Sequence, residues 1–393
     1  MLSKRTVMGL VTAALLSGAA TAQAEDSLRI GYSIARTGMF AVATPVQQQA
    51  YDLWRDQVNA AGGLSIGGKA KRKIEFVSYD DQSEPAKAAQ IYEKLISNDK
   101  VDLLLAPWGT ATHIGIAPIV ERHKFPLVGA TASSTLIREL GLKYMWFTEK
   151  MPDDYGNDLP KLLGAVGMKR IAIIAMQLPL ALETKKFLVP ALQKAGMEIV
   201  FNQEYPPDIK DMTGLLTSVK SAAPDAVIGL SYPADSILYI TTAREIGLQA
   251  KFQFLEIGPT EPFFITKFGE NLDGIVTLGH WSPDQKAWPK ARPFFDAYKA
   301  KFNEAPDYLD SVSSYVSAEI LQQAVEKVGL DRAKLREAIA TGTFDTINGP
   351  VRFDGPTNVG TPNGYVQIQK GVAQLVWPDQ VKTSDFAPKG PWK

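Results

Sequence analysis

Two short stretches of this chain pair a buried apolar run with a turn of small and hydroxylated residues. Val101–Ala106 runs into Pro107-Trp108-Gly109-Thr110-Ala111-Thr112, and Phe125–Val128 runs into Gly129-Ala130-Thr131-Ala132-Ser133-Ser134. Each reads as a strand, a turn and the start of a helix. Such a turn offers free backbone N–H groups and hydroxyls at a helix N-terminus, which suits an anion. On neighbouring parallel strands the two turns could grip one carboxylate between them. Hydroxyl residues in these places also serve as ordinary N-caps, so Thr110 and Ser133 have a structural reading beside the binding one. Trp108 stands on a strand-end loop, where a large aromatic side chain suits the wall of a cleft.

Other chemistries fail on inspection. Gly63–Lys69 has the spacing of a phosphate-binding loop, but Ala70 stands where the magnesium-binding hydroxyl is needed, and a helix precedes the segment where a strand should. It reads as a surface turn. Ser97-Asn98-Asp99-Lys100 fits S-x-x-K without its companion motifs. There is no H-E-x-x-H, G-x-S-x-G or G-x-G-x-x-G. The three histidines, His113, His123 and His280, have no metal-ligand spacing, and His123 is expected to cap a helix C-terminus at the surface. The sequence therefore predicts a protein that is not an enzyme and needs no cofactor or metal.

The elements that position the turns alternate regularly. Strands are expected at Leu28–Ser33, Ile74–Tyr79, 101–106 and 125–129, separated by helices at Thr44–Ala61, 85–97 and 111–123. A second series follows, with strands at Arg170–Ala175, Met197–Asn202, Ala226–Leu230 and Phe252–Leu255 and helices between them. Such alternation means parallel sheets covered by helices, and two series mean two α/β lobes. Helices near Trp288–Phe302, Tyr308–Val328 and Arg332–Thr341 come next. Strands at 351–353, Tyr365–Gln369 and Val372–Trp377 end the chain, with 348–364 as a loop.

Residues 1–24 carry Lys4 and Arg5, an apolar centre around Val7–Leu16, and Ala22-Gln23-Ala24, the pattern of a cleavable export signal. Its removal leaves 40 basic against 42 acidic residues, a formal charge of −2, which suggests neither nucleic acid nor an anionic membrane as partner. The chain has no cysteine, which excludes a lipid-anchored Cys, thiolate metal sites and disulfide staples. A soluble periplasmic protein of two domains is expected.

Further motifs, in order along the chain, complete the pattern: Gly31 and Thr37-Gly38, Asn59–Gly63, Tyr79-Asp80-Asp81 ahead of Pro85, the two hydroxyl turns, Met151–Gly156, and Gly349–Asp354. Together they resemble the periplasmic substrate-binding proteins of the branched-chain amino acid type, which serve ABC importers, over nearly all of the mature chain. The resemblance implies a type I fold: two doubly wound parallel-sheet lobes joined by a three-strand hinge, with ligand in the cleft. Crossings are expected near 145–149, 274–279 and 345–352. The first lobe would comprise 25–146 and 278–348, the second 147–277 and 349–393. A small carboxylate ligand, an ABC permease as partner and a monomeric state follow. A sensory receptor for a membrane kinase or chemoreceptor would share this fold and cleft.

The resemblance places Thr110, Ala132 and Ser133 on the ligand carboxylate, Ser231 and Tyr232 on the opposite lobe, and His280 and Trp281 at a crossing; Gly109 joins Thr110 as a ligand-binding candidate. Phe40 in the first loop and Tyr155 beside Gly156 are candidate cleft aromatics, with core or hinge packing as their other reading. Departures are equally informative. An aromatic expected soon after strand 170–175 is replaced by Gln177-Leu178-Pro179-Leu180, and Gln82 and Gly109 replace a cysteine pair. The acid for a ligand ammonium falls at Gly258, leaving Glu256 or Glu261 as the nearest substitutes. The carboxylate grip is complete and the ammonium grip open, which leaves room for an aromatic or aliphatic acid with no amino group.

Overall fold

The computed structural model describes residues 27–393; the segment read as an export signal lies outside them. In the first lobe, strand Leu28–Ile34 lies between Ile74–Asp80 and Leu103–Leu104, all parallel. A parallel bridge between Trp108 and Thr131 leads on to Leu127–Gly129, which pairs with Met145–Phe147. The second lobe is a seven-stranded sheet with Arg170–Met176, Ala226–Leu230, Phe252–Leu255 and Ile275–Leu278 parallel at its centre. Tyr365–Gln369 and Val372–Trp377 close one edge as an antiparallel hairpin around Lys370-Gly371. The central strands are nearly continuous apolar runs, as in 171–176 and Ala226–Leu230, because helices cover both faces.

Every strand–turn–helix unit points the C-terminal end of its strand and the N-terminal end of its helix the same way. Proline marks many of these helix starts: Pro85, Pro152, Pro179, Pro233 and Pro262 each stand in a first turn, where the missing N–H costs nothing. The helix starts of the two lobes thus face each other. Helix Asp310–Val328, buried along most of its length, backs the first lobe.

Most expected elements are present, with shifted ends. The run 101–106 keeps ladder pairing only at Leu103–Leu104, although all six residues except Asp102 are buried. The segment Gly63–Lys69 is the turn of a small hairpin, Leu64–Ser65 with Lys71–Arg72. His123 is the C-cap of helix Thr110–Arg122 and bonds Glu93 at the surface. Helices Pro152–Ala165 and Pro262–Phe268 were not anticipated.

The third crossing needs correction. Thr343–Thr346 and Gly349–Asp354 form a hairpin, and Gly349–Asp354 pairs on through Thr357–Asn358 to Phe147. Residues 349–358, expected in the second lobe, therefore belong to the sheet of the first. The chain passes to the second lobe between Asn358 and Tyr365, not at 345–352. Asn358 ties this passage to the first one: its side-chain amide donates to the Thr148 carbonyl at 2.8 Å, and Lys150 Nζ donates to the Asn358 carbonyl at 3.2 Å. The strand at Thr357–Asn358 is only two residues long, too short to show as a periodic run in a Gly- and Pro-rich stretch.

Candidate functional site

The facing helix starts bring aromatic side chains of both lobes together. Phe40 and Trp108 of the first lobe pack at 4.9 Å between centroids, and Tyr232 of the second stacks on Phe40 at 6.0 Å and meets Trp108 edge-on at 6.4 Å. All three are almost fully buried. Trp108 is fixed from behind, its indole N–H donating to Asp310 at 2.8 Å. Beside this trio a groove of about 380 Å³ opens outward between Met39, Phe40, Met176 and Tyr232.

Behind the aromatics the two hydroxyl turns are knotted together. The Thr110 hydroxyl donates to the Ser133 carbonyl at 3.2 Å and lies 3.1 Å from the Ser133 amide, from which it accepts. Thr131 Oγ1 accepts from the Gly109 amide at 3.0 Å, and the Ser133 hydroxyl donates to the Lys150 carbonyl at 2.6 Å. Gly109 has φ +89°, a conformation that places it as the N-cap of helix Thr110–Arg122 and leaves the Thr110, Ala111 and Thr112 amides at the helix start. The anticipated hydroxyls thus hold the turns in place, and the helix-start amides are the groups free of intrahelical acceptors. Ala132 is buried in the same turn.

On the opposite lobe, Ser231 bonds Ser236 at 2.8 Å, and the Tyr232 amide donates to Asp235 at 2.8 Å, closing the start of helix Pro233–Glu245. Glu256 is fully buried at the end of strand Phe252–Leu255. One oxygen accepts from Thr184 at 2.7 Å and the other has no partner. Burial pushes its carboxyl up to about 8, helped by the nearby Asp235 and opposed by the Thr184 hydroxyl. Gly258, at φ +119°, has no room for a side chain: a Cβ there would lie 2.6 Å from the Phe264 ring. No acid can stand at that position in this backbone.

The passages between the lobes supply the rest. Tyr155 is buried with its hydroxyl unpartnered, while its carbonyl accepts from Tyr365 at 2.8 Å. His280 is buried, and desolvation together with the Lys150 ammonium holds it at about 4, so it is neutral at neutral pH. Trp281 packs edge-on against Phe294 at 5.7 Å and Tyr308 at 5.0 Å, and its indole donates to the Ile347 carbonyl at 2.9 Å. It lies in the core rather than among the cleft aromatics.

Three residues with prominent roles were not singled out. Glu183 reaches from helix Pro179–Lys194 across to the first lobe, where its carboxylate accepts from the Ser134 hydroxyl at 2.5 Å, the Thr135 amide at 2.7 Å and the Thr135 hydroxyl at 3.0 Å. Glu149, in the first passage, and Asp310, at the head of helix Asp310–Val328, are buried acids. Nothing local distinguishes them from solvated acids; only the fold buries them. Among the described residues no group of His, Asp and Glu could hold a metal ion, and no helix is long and apolar enough to cross a membrane.

The sequence model of one family, described as periplasmic binding protein, matches residues 27–371. A Leu/Ile/Val-binding protein homolog of Brucella melitensis is 24% identical over 405 residues, covering 98% of this chain and 99% of its own. A leucine binding protein from Thermotoga maritima superposes with a TM-score of 0.79 at 20% identity, covering 90% of this chain and all of its own. A solute binding protein of an ABC transporter from R. palustris, solved with benzoate, gives a TM-score of 0.78 at 20% identity, over 92% and 97% of the two chains.

Proposed function

The chain belongs to the periplasmic binding protein family, and on that premise we propose that it captures a small carboxylate between its lobes and delivers it to the permease of an ABC importer. The observation that carries this reading is the pair of knotted turns, with the Thr110–Thr112 amides opening a helix beside the Thr110–Ser133 contact. A carboxylate seated there takes backbone amides and the positive end of the helix dipole, in a site closed to water. The body of the ligand lies against Trp108, Phe40 and Tyr232, with Tyr155 offering a hydroxyl from the second lobe. Closing the lobes completes these contacts, so ligand selects the closed form.

The names of similar proteins frame the ligand class: one binds leucine, an acid with an amino group, and another was solved with benzoate, an acid without one. A cleft with an anion end and an apolar wall accommodates either. Export to the periplasm as a monomer fits delivery to a membrane permease. A thermal-shift screen of the mature protein against amino acids and plain carboxylic acids tests the reading. A ligand at 100 times its Kd adds about 2.7 kcal/mol of apparent stability, so a true ligand stands clear of the rest. Stabilisation by no carboxylate, or by neutral sugars instead, would overturn it.

A further inference from the structure

We propose that Lys150 is a positioning residue for ligand capture: it pins the first passage to the first lobe, behind the turn that takes the carboxylate, and confines closure to pivots just beyond it. The inference rests on the carboxylate-binding function proposed above and adds how the lobes move around that site.

Lys150 is held by its backbone and by its side chain. Its carbonyl accepts from the Ser133 hydroxyl at 2.6 Å, and Ser133 is the residue whose amide and carbonyl are both bonded by Thr110. Its ammonium donates to the Asn358 carbonyl at 3.2 Å, where the chain leaves the first lobe for the last time. One half-buried lysine therefore joins the donor turn, the first passage and the last passage.

Asn358 makes the far end of this tie rigid. It is almost fully buried, and its side chain is fully used. The amide donates to the Thr148 carbonyl at 2.8 Å and to Thr361 Oγ1 at 2.6 Å, and the oxygen accepts from the Gly360 amide at 2.9 Å. The next two residues also stay on the first lobe. The Val359 amide donates to the Arg352 carbonyl at 2.9 Å, and a Cβ at Gly360 would collide with the Pro350 carbonyl.

Just past these points the contacts change lobe. The Met151 amide donates to Asp154 at 3.1 Å and the Asn363 amide group to Asp158 at 3.2 Å, both acids of helix Pro152–Ala165. The first passage therefore pivots at 150–151 and the last at 361–363, because a hinge is the short stretch between anchored segments. The second passage changes lobe at 279–280, between the end of strand Ile275–Leu278 and Trp281, which is bonded to Ile347 of the first lobe. It lies against the last one: a Cβ at Gly364 would stand 2.8 Å from the Gly279 carbonyl oxygen and 3.0 Å from the His280 Cα. Without the Lys150 ammonium the first passage is free of the last, and bending spreads from 150–151 back towards the Ser133 turn. The lysine thus acts on the ligand through that turn.

The chain has no cysteine, so Glu139→Cys and Asp208→Cys place one spin label on an exposed residue of each lobe, and double electron–electron resonance reads the spacing. Lys150→Met, which keeps the side chain's length and removes its donor, should broaden the ligand-free distribution towards longer spacings. Release of the most stabilising acid from the thermal-shift screen should accelerate about tenfold, the scale of one lost hydrogen bond to a charged group. Lys150→Arg restores a cationic donor and should return both readings towards those of the unaltered protein. Ser133→Ala cuts the other tie and should broaden the distribution in the same way, so a Lys150 variant that fails to fold does not decide the outcome. Unchanged distributions overturn the proposal, even where release is faster, because Lys150 would then act by contact and not as a pivot. Broadened distributions in a protein that binds no carboxylate support the pivot and overturn the carboxylate reading.

Discussion

At the donor end of the cleft, around Thr110 and Ser133, each hydroxyl is spoken for: Thr110 bonds both polar backbone atoms of Ser133, and Ser133 bonds the Lys150 carbonyl. At the hinge end, around Glu149, Glu261 and Asp310, buried carboxyl oxygens lack partners. One end is a scaffold complete in itself that presents backbone amides. The other keeps buried carboxyl oxygens that no group among the described residues satisfies. The first end is preformed to fix a carboxylate; the second carries the cost of buried acids, which is lowest while they hold protons.

Variants of the shared wall and of the donor end differ in how far they weaken binding. Tyr232→Ala removes the wall shared by both ends and two aromatic contacts between the lobes. At about 0.5–1.5 kcal/mol per aromatic pair, plus lost ligand contact, affinity should fall by about a hundredfold for every ligand class. Titration calorimetry checks this, and a loss confined to one ligand class would contradict a shared wall. Thr110→Val unties the donor end, leaving the Ser133 amide and carbonyl without that hydroxyl. A buried group so exposed costs about 1–3 kcal/mol. Plain and amine-bearing acids should both weaken about tenfold or more, while the variant remains folded by circular dichroism.

The hinge end should respond to pH and the donor end should not. Asp310 is pushed up to about 8 by burial and then by Asp307, against the Trp108 hydrogen bond. Burial, followed by acidic neighbours, raises Glu149 and Glu261 well above the usual carboxyl range, and burial also raises Asp307, which faces them. The Tyr155 hydroxyl nearby is raised as well and stays neutral. These groups hold protons in the closed form that ordinary carboxyls, near about 4, release. The closed form is favoured at low pH and loses that support as pH rises from about 4 towards 8. Affinity for a plain carboxylate such as 3-phenylpropanoate should therefore fall severalfold from about pH 6 to 8 as these groups lose their protons. Calorimetry at the two pH values reads it, and an affinity that rises with pH would contradict it.

The smallest expected effect concerns closure itself. Glu183→Gln weakens the hydrogen bonds from the second lobe to Ser134 and Thr135. Hydrogen bonds to a charged group are worth about 1.5–3 kcal/mol, and the amide retains part of that. Ligand release measured by stopped-flow fluorescence should accelerate severalfold, with ligand preference unchanged.

The donor end was legible in the sequence because it is local. A strand, a glycine and a hydroxyl turn lie within a dozen residues, and the alternation around them fixed the parallel arrangement that sets the two turns side by side. Trp108 could be picked out because it stands on a loop where an apolar strand gives way to a helix start, whereas Tyr232 was named only through the family resemblance. The hinge end left no such trace. Glu149 and Asp310 look like any surface acid in the sequence, Glu261 was named only as a substitute for the acid the resemblance places at Gly258, and only the fold buries all three. Trp281 shows the converse: its position at a crossing suggested the cleft, but the neighbouring Phe294 and Tyr308 draw it into the core. The third crossing was misplaced because a two-residue strand carries no periodicity, and its pairing to Phe147 is visible only in the folded chain.

The central claim is that a carboxylate is held between the lobes by the helix start at Thr110. It is tested most directly by a crystal structure of the mature protein with the most stabilising acid from the thermal-shift screen. The account predicts the carboxylate within hydrogen-bond distance of the Thr110–Thr112 amides and the 132–133 turn, with Tyr232 closed over it. Ligand seated in the outer groove beside Met39, or away from both turns, would contradict it.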